Sequence, residues 1–206
     1  MHKILLAALL ACLTLTAHAD DEFVAGQHYQ LITPAQPTTT GDKVEVLELF
    51  WYGCPHCFAF EPALQEWLKK KPDYVQFARV PAVFAHNWEV HARAYFAAQQ
   101  LGILDKIHEP LFEAIHKDNR KLFTEDELAP FFAEHGATAE QFHQAYNSFE
   151  VDTKTRHVIA ATREYGISGV PALIINGKYR SSAQQAGGFD NLLKLVEFLA
   201  AKEHNR

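Results

Sequence analysis

Two cysteines two residues apart, Cys54-Pro55-His56-Cys57, are the part of this chain best equipped to make and break a covalent bond. A thiolate, not a thiol, attacks a disulfide sulfur, so the chemistry depends on what lowers the pKa of one sulfur and shields the other. A disulfide closed across so short a ring stays accessible to exchange. The competing uses of such a pair are a zinc knuckle and a structural bridge. Tetrahedral zinc needs four ligands, commonly from a second Cys or His pair, and no such pair follows. The chain holds only three cysteines, and the third, Cys12, lies far away in an apolar leader.

The elements around the pair must place the two sulfurs differently. Val44 to Phe50 mixes β-branched, leucine and aromatic residues and predicts a strand. From Cys57 to Lys70, apolar Phe60, Ala63, Leu64, Trp67 and Leu68 recur at helical spacing. The thiols therefore sit where a strand hands over to a helix. Unpaired N–H groups and the positive end of the helix dipole favour a thiolate there. Cys54 is expected at the helix N-terminus with its sulfur facing solvent, followed by Pro55 at the first helical position, where a missing N–H costs nothing. His56 adds a second favourable interaction with the anion. Cys57, one turn in, is the expected buried, resolving thiol. Pro62 predicts a bend in this helix; Lys69-Lys70-Lys71 are expected in its last turn, and Pro72 is expected to stop it.

Glu48 is an unusual residue for the strand. A carboxylate among Leu47, Leu49 and Phe50 must face water, pair with a cation, or hold a raised pKa.

Cys54-Pro55-His56-Cys57, with Glu48 six positions earlier and Gly169-Val170-Pro171-Ala172 far downstream, resembles the DsbA family of thiol:disulfide oxidoreductases. Phe58-Ala59-Phe60-Glu61 and Ile175-Asn176-Gly177-Lys178-Tyr179 extend the resemblance through essentially the whole chain after the leader. It implies an α/β, thioredoxin-like fold with an inserted all-helical domain. It also implies an enzyme that donates its Cys54–Cys57 disulfide to dithiols of incompletely folded exported proteins, needing no cofactor beyond that disulfide. Within it, Pro55 and His56 would tune the Cys54 thiolate, and Glu48 would be a buried acid assisting proton movement at Cys57. The resemblance also implies a basic partner for that acid near the end of the strand before Pro81, for which Arg79 is the nearest candidate, with too loose a placement to assign. Val170 and a cis-Pro171 would position substrate beside Cys54. A quinone-linked membrane oxidase of the DsbB type is the implied partner for reoxidation, and a monomer the implied state. An isomerase or reductase would use the same cysteines, although periplasmic isomerases commonly add a dimerisation segment that is not visible here. A non-catalytic holdase would need only an apolar surface.

The N-terminus fits export. Met1-His2-Lys3, the apolar run Ile4 to Leu15 and Ala17-His18-Ala19 form a basic start, a short hydrophobic core and a small-x-small cleavage site. Cleavage after Ala19 leaves Cys54 and Cys57 as the remaining cysteines, in an oxidising compartment, the periplasm. Lipid anchoring at Cys12 is the minor alternative. The resulting division is 1–19 signal peptide, 20–82 thioredoxin-like domain, first part, 83–165 inserted helical domain, and 166–206 thioredoxin-like domain, second part. A net charge of −6 disfavours a general nucleic-acid partner. The twelve histidines are scattered without a metal-ligand spacing, and most are expected at the surface or partly buried.

Elsewhere the reading is coarser. His28 to Ile32 and Tyr74 to Val80 predict strands, and Trp88 to about Tyr165 reads as helical. Thr124 with Glu127, and Thr138 with Gln141, have capping-box spacing. Ala172 to Ile175 predicts a strand turned by Asn176-Gly177 into a hairpin, and Phe189 to Ala201 a closing amphipathic helix.

Overall fold

The computed structural model describes residues 23–206. The leader 1–19, with Cys12, lies outside the described residues. Five strands form one sheet: β1 (Gln30–Leu31), β2 (Val44–Phe50), β3 (Val75–Pro81), β4 (Ala172–Ile175) and β5 (Tyr179–Ser182), in the order β1-β5-β4-β2-β3. β2 runs parallel to β3 and antiparallel to β4, which pairs antiparallel with β5. Helix α1 (Pro55–Leu68) connects β2 to β3, as a parallel pair requires a crossover. Five helices lie between β3 and β4: α2 (His86–Gln100), α3 (Leu104–His116), α4 (Glu125–Glu134), α5 (Ala139–Tyr146) and α6 (Phe149–Glu164). The short α7 (Ala183–Ala186) and the long α8 (Phe189–His204) follow β5.

β2 is buried at every position because both of its faces are covered. Alternate side chains point to opposite faces of a strand. Val44 and Val46 pack with Phe60, Leu64 and Trp67 of α1 and Leu192, Leu195, Val196 and Leu199 of α8. Leu47 and Leu49 pack on the other face with Ala82, Tyr165, Ala172 and Ile174. Each large apolar side chain fully withdrawn from water contributes roughly 1.5–3 kcal/mol. Glu48 shares its face with Val44 and Val46, and that face carries it toward α1.

Local signals set many boundaries. The hydroxyls of Thr124 and Thr138 accept from the backbone N–H of Glu127 and Gln141, whose side chains reach back to the cap N–H: both capping boxes form. The β4–β5 turn places Asn176 at φ 51° and Gly177 at φ 64°. A Cβ at Gly177 would also lie 2.1 Å from the carbonyl oxygen of Gln36, so only glycine fits. Glu203 of α8 accepts from Asn176, Lys178 and Tyr179, tying that hairpin to the last helix.

The end of α1 differs from expectation. The helix continues past Pro62 but stops at Leu68, leaving Lys69, Lys70 and Lys71 beyond its last turn and Pro72 too late to be the terminator. The backbone itself closes the end, with Lys70 N–H donating to the Trp67 carbonyl at 2.9 Å. Lys69 pairs with Glu66, and Lys71 donates to the Val75 carbonyl at 2.6 Å.

Candidate active site

Cys54 is the N-cap of α1 and Pro55 its first helical residue. The turn that delivers them is held by Cys54 N–H donating to the Trp51 carbonyl at 2.9 Å. Gly53 is required here because a Cβ would lie 2.4 Å from the Trp51 ring, which stacks on Trp88 with centroids 4.3 Å apart. Both cysteines are free thiols. Cys57 is fully buried, as its place one turn into an amphipathic helix dictates. Cys54 departs from the solvent-facing sulfur expected of it: the residue is only 8 % exposed, and its Sγ donates to the Val170 carbonyl at 3.4 Å. The loop before β4 folds over it.

The two thiols are strongly unlike. Cys54 is brought down to about 6, chiefly because the Cys57 thiol donates to it, with the N–H groups of Cys57 and His56 and the charge of His56 adding to the effect against partial burial. Burial pushes Cys57 far up, and the neighbouring Cys54 and Glu48 push the same way. One sulfur is a ready thiolate near neutral pH; the other stays protonated until its partner has reacted.

Beneath the pair lies a buried ring of polar side chains drawn from four elements. Arg79 of β3 stands opposite Glu48 of β2 in the parallel register. Its Nε donates to Glu48 Oε2 at 3.0 Å, and its Nη2 donates to both oxygens of Glu61 on α1, at 3.2 and 2.9 Å. Glu61 Oε1 also takes a hydrogen bond from His108 Nε2 of α3 at 3.3 Å, and the Tyr52 hydroxyl donates to His108 Nδ1 at 3.0 Å. His108 is neutral because burial lowers its pKa, which makes Nδ1 the acceptor. Tyr52 is held a second time through its carbonyl, which accepts from His116 Nε2 at 2.7 Å. Glu48 has no exposure, its pKa is pushed up to about 8 by burial, and its Oε1 has no protein partner among the described residues. Of the alternatives open to Glu48, solvation is excluded: it is paired with a cation and also raised in pKa.

The Val170–Pro171 peptide is cis. This loop borders a cavity of about 720 Å³, lined among others by His56, Ile167, Val170, Pro171 and Phe189. His56 is exposed at its rim. Among the described residues no three His, Cys, Asp or Glu side chains are placed to hold a metal ion.

The structure thus brings Cys54, Pro55, His56, Cys57, Val170 and Pro171 to one place, with Glu48 underneath. Arg79 was foreseen only as a loosely placed candidate partner for Glu48, which the ion pair now fixes, and Glu61, His108, Tyr52 and His116 were not legible as part of the site. Most histidines among the described residues are exposed or partly buried, as expected, and His91 and His108 are the buried ones. A signal for two of these existed. Glu61 aligns with Leu64 and Leu68, and His108 with Leu111 and Ile115, so each is a polar residue on the apolar stripe of its helix.

A family model described as a DSBA-like thioredoxin domain matches residues 76–200. The thiol:disulfide interchange protein DsbA of Pseudomonas aeruginosa is 40% identical over 98% of this chain and 97% of its own length. That of Azotobacter vinelandii is 38% identical over 100% of this chain and 99% of its own. The crystal structure of Pseudomonas aeruginosa DsbA superposes with a TM-score of 0.85 at 40% identity, covering 90% of this chain and 97% of that one. DsbA from Xylella fastidiosa superposes with a TM-score of 0.83 at 34% identity, over 89% and 98%. With a thioredoxin-like sheet, a Cys-Pro-His-Cys turn at a helix N-terminus and relatives of this identity along its whole length, the chain belongs to the DsbA family of thiol:disulfide oxidoreductases.

Proposed function

We propose that this chain works in the periplasm as a dithiol oxidase, passing the Cys54–Cys57 disulfide to incompletely folded proteins that have just been exported. The observation that carries this reading is the asymmetry of the two sulfurs, one lowered to about 6 at a helix N-terminus and one buried and raised.

A substrate thiolate attacks Cys54 Sγ of the oxidised enzyme. A bond forms between substrate sulfur and Cys54, the Cys54–Cys57 bond breaks, and Cys57 leaves with the electron pair. Because the Cys57 thiolate is strongly disfavoured, it takes a proton as it leaves. Glu48 supplies it, since a carboxyl raised to about 8 still holds its proton at neutral pH. The substrate's second thiolate then attacks its own sulfur in the mixed disulfide. The substrate disulfide forms and Cys54 departs as a stable thiolate. Two electrons have moved from substrate to enzyme.

In the disulfide and in the mixed disulfide Cys54 carries no S–H, so the Val170 carbonyl that it occupies in the dithiol form is free of it. That carbonyl is then available to an N–H of an extended substrate chain beside Pro171, with the adjoining cavity accepting its side chains. Pro55 and His56 act on the thiolate through the helix N-terminus and the imidazole. The reduced enzyme is returned to the disulfide by a quinone-linked membrane oxidase of the DsbB type. Family membership supports the compartment and this partner, and the leader 1–19 supports export. The chain acts as a monomer, without a nucleic-acid partner.

The direction of electron flow follows from the thiolate. Each unit by which Cys54 falls below a free thiol favours the reduced enzyme by about 1.4 kcal/mol, or roughly 30 mV, until it is fully ionised. The test is the equilibrium reduction potential of the pair in glutathione buffers. A value less negative than about −180 mV, that of protein disulfide isomerase, supports a donor; one near the roughly −270 mV of thioredoxin makes the chain a reductase.

A further inference from the structure

Two buried carboxyls, Glu48 and Glu61, face one guanidinium, Arg79, and the three share an interior where a net charge is costly. Near neutral pH one carboxyl of such a set keeps its proton. Hydrogen-bond donors decide which. Glu61 receives Arg79 Nη2 on both oxygens, Gln65 Nε2 at 3.2 Å and His108 Nε2 at 3.3 Å. Glu48 receives one N–H, and its Oε1 is bare among the described residues.

We propose that His108 is a positioning residue of the exchange reaction: oriented by the Tyr52 hydroxyl, it donates Nε2–H to Glu61, fixes Glu61 as the ionised partner of Arg79, and thereby leaves the shared proton on Glu48 near Cys57. The proposal rests on the reading of Glu48 as proton donor given above. It extends that reading to a residue on a different element, which touches neither sulfur nor substrate. The ionisable groups facing His108 are Glu61 from α1, Tyr52 from the turn between β2 and α1, Arg79 from β3 and Tyr95 from α2, with Asp105 and Glu109 on its own helix. Tyr52 and Tyr95 are both raised in pKa and neutral here, so the carboxylate of Glu61 is the charged acceptor in direct contact with the ring. A cavity of about 350 Å³ lined by Arg79, Tyr95, Asp105, His108 and Glu109 gives this end of the ring a path to water that Glu48 lacks.

The prediction is that without the His108 donor, Glu61 competes for the proton, Arg79 is drawn toward Glu48, and Glu48 ionises at lower pH. The measurement is an infrared titration of the buried carboxylic-acid carbonyl band in the reduced full-length mature protein, with the Glu48 share defined as the part removed by Glu48→Gln in each background. His108→Phe is expected to lower its midpoint by about one pH unit, the scale of one charge-assisted hydrogen bond. His108→Gln, whose amide N–H still reaches Glu61, is expected to restore the wild-type midpoint. A lost midpoint shift in His108→Phe, or a Gln variant that behaves as Phe does, overturns the proposal. Should His108→Phe not fold, Tyr52→Phe removes only the O–H that orients the ring. It is expected to lower the midpoint in the same direction, and an unmoved midpoint overturns the proposal equally. If wild-type protein has no acid band that Glu48→Gln removes, the Glu48 reading itself fails and takes this one with it. A Glu48 band that His108 variants leave in place refutes only the role of His108.

Discussion

The sulfur of Cys54 lies 3.4 Å from the carbonyl oxygen of Val170, a residue 116 positions further along the chain. The sulfur that exchanges with substrate is therefore covered while it is a thiol and repelled by its cover once it is a thiolate. Titration of the reduced protein by ultraviolet thiolate absorbance should give one midpoint, near pH 6, with no second thiolate appearing below pH 9. Two midpoints in that range would remove the asymmetry on which electron flow depends.

The same group makes stability depend on pH in the reduced form alone. Its folded pKa is depressed from 9.0 to about 6, so its contribution is absent below about pH 6, grows between 6 and 9, and is complete above 9. The melting-temperature advantage of reduced over oxidised protein should widen across that window, at up to about 1.4 kcal/mol per pH unit. A constant difference would show that Cys54 is not the titrating group.

Glu48 has the opposite sign. Its folded pKa is raised, from 4.5 to about 8, so folding takes up a proton and stability is lost as pH rises through that interval. Relative to wild type, Glu48→Gln should gain about 1–2 kcal/mol in denaturant unfolding between pH 4.5 and pH 8, while its exchange with dithiols slows. A variant as fast as wild type at every pH would leave Glu48 without a role in proton transfer.

Arg79 carries the only cation of the buried ring when His108 is neutral. Arg79→Met should cost about 3–5 kcal/mol in urea unfolding, because it strands two buried carboxyls together. The loss should be smaller at pH 4, where both can be protonated; an equal loss at both pH values would point to packing instead of charge.

Gly53→Ala tests the turn itself. The new Cβ would meet the Trp51 ring at 2.4 Å and force it off Trp88. About 1–3 kcal/mol of destabilisation is expected, with a change in tryptophan fluorescence reporting the broken stack.

What could be read in advance was local. The run Val44 to Phe50, the Asn176-Gly177 turn and both capping boxes depend on residues within a few positions of one another, and all are present. The placement of Cys57 followed from helical periodicity alone. The cover over Cys54 did not: the resemblance brought Val170 beside Cys54 to meet substrate, but the contact of its carbonyl with the sulfur depends on how a distant segment packs. The polar ring was hidden for the same reason: Glu48 stood out in its strand, and Glu61 and His108 interrupt apolar stripes, but with Arg79 they sit on four elements and nothing local joins them. The lysines after Leu68 misled in a different way. Their charge suits a helix end, but the turn at Trp67 to Lys70 had already closed the backbone.

The five helices between β3 and β4 set a timetable as well as a shape. On the proposed route of export, the cysteine pair and its helix emerge from the ribosome and cross the membrane early, whereas β4 and the Val170 loop come more than a hundred residues later. Contacts between such distant segments are slow to form, since a long loop must close before they contribute anything. Throughout that interval a chain exported in this way carries an unsheltered pair of thiols into an oxidising space. A protein of this family is thus, for the first moments of its existence, another unfolded dithiol, open to oxidation by finished copies of itself.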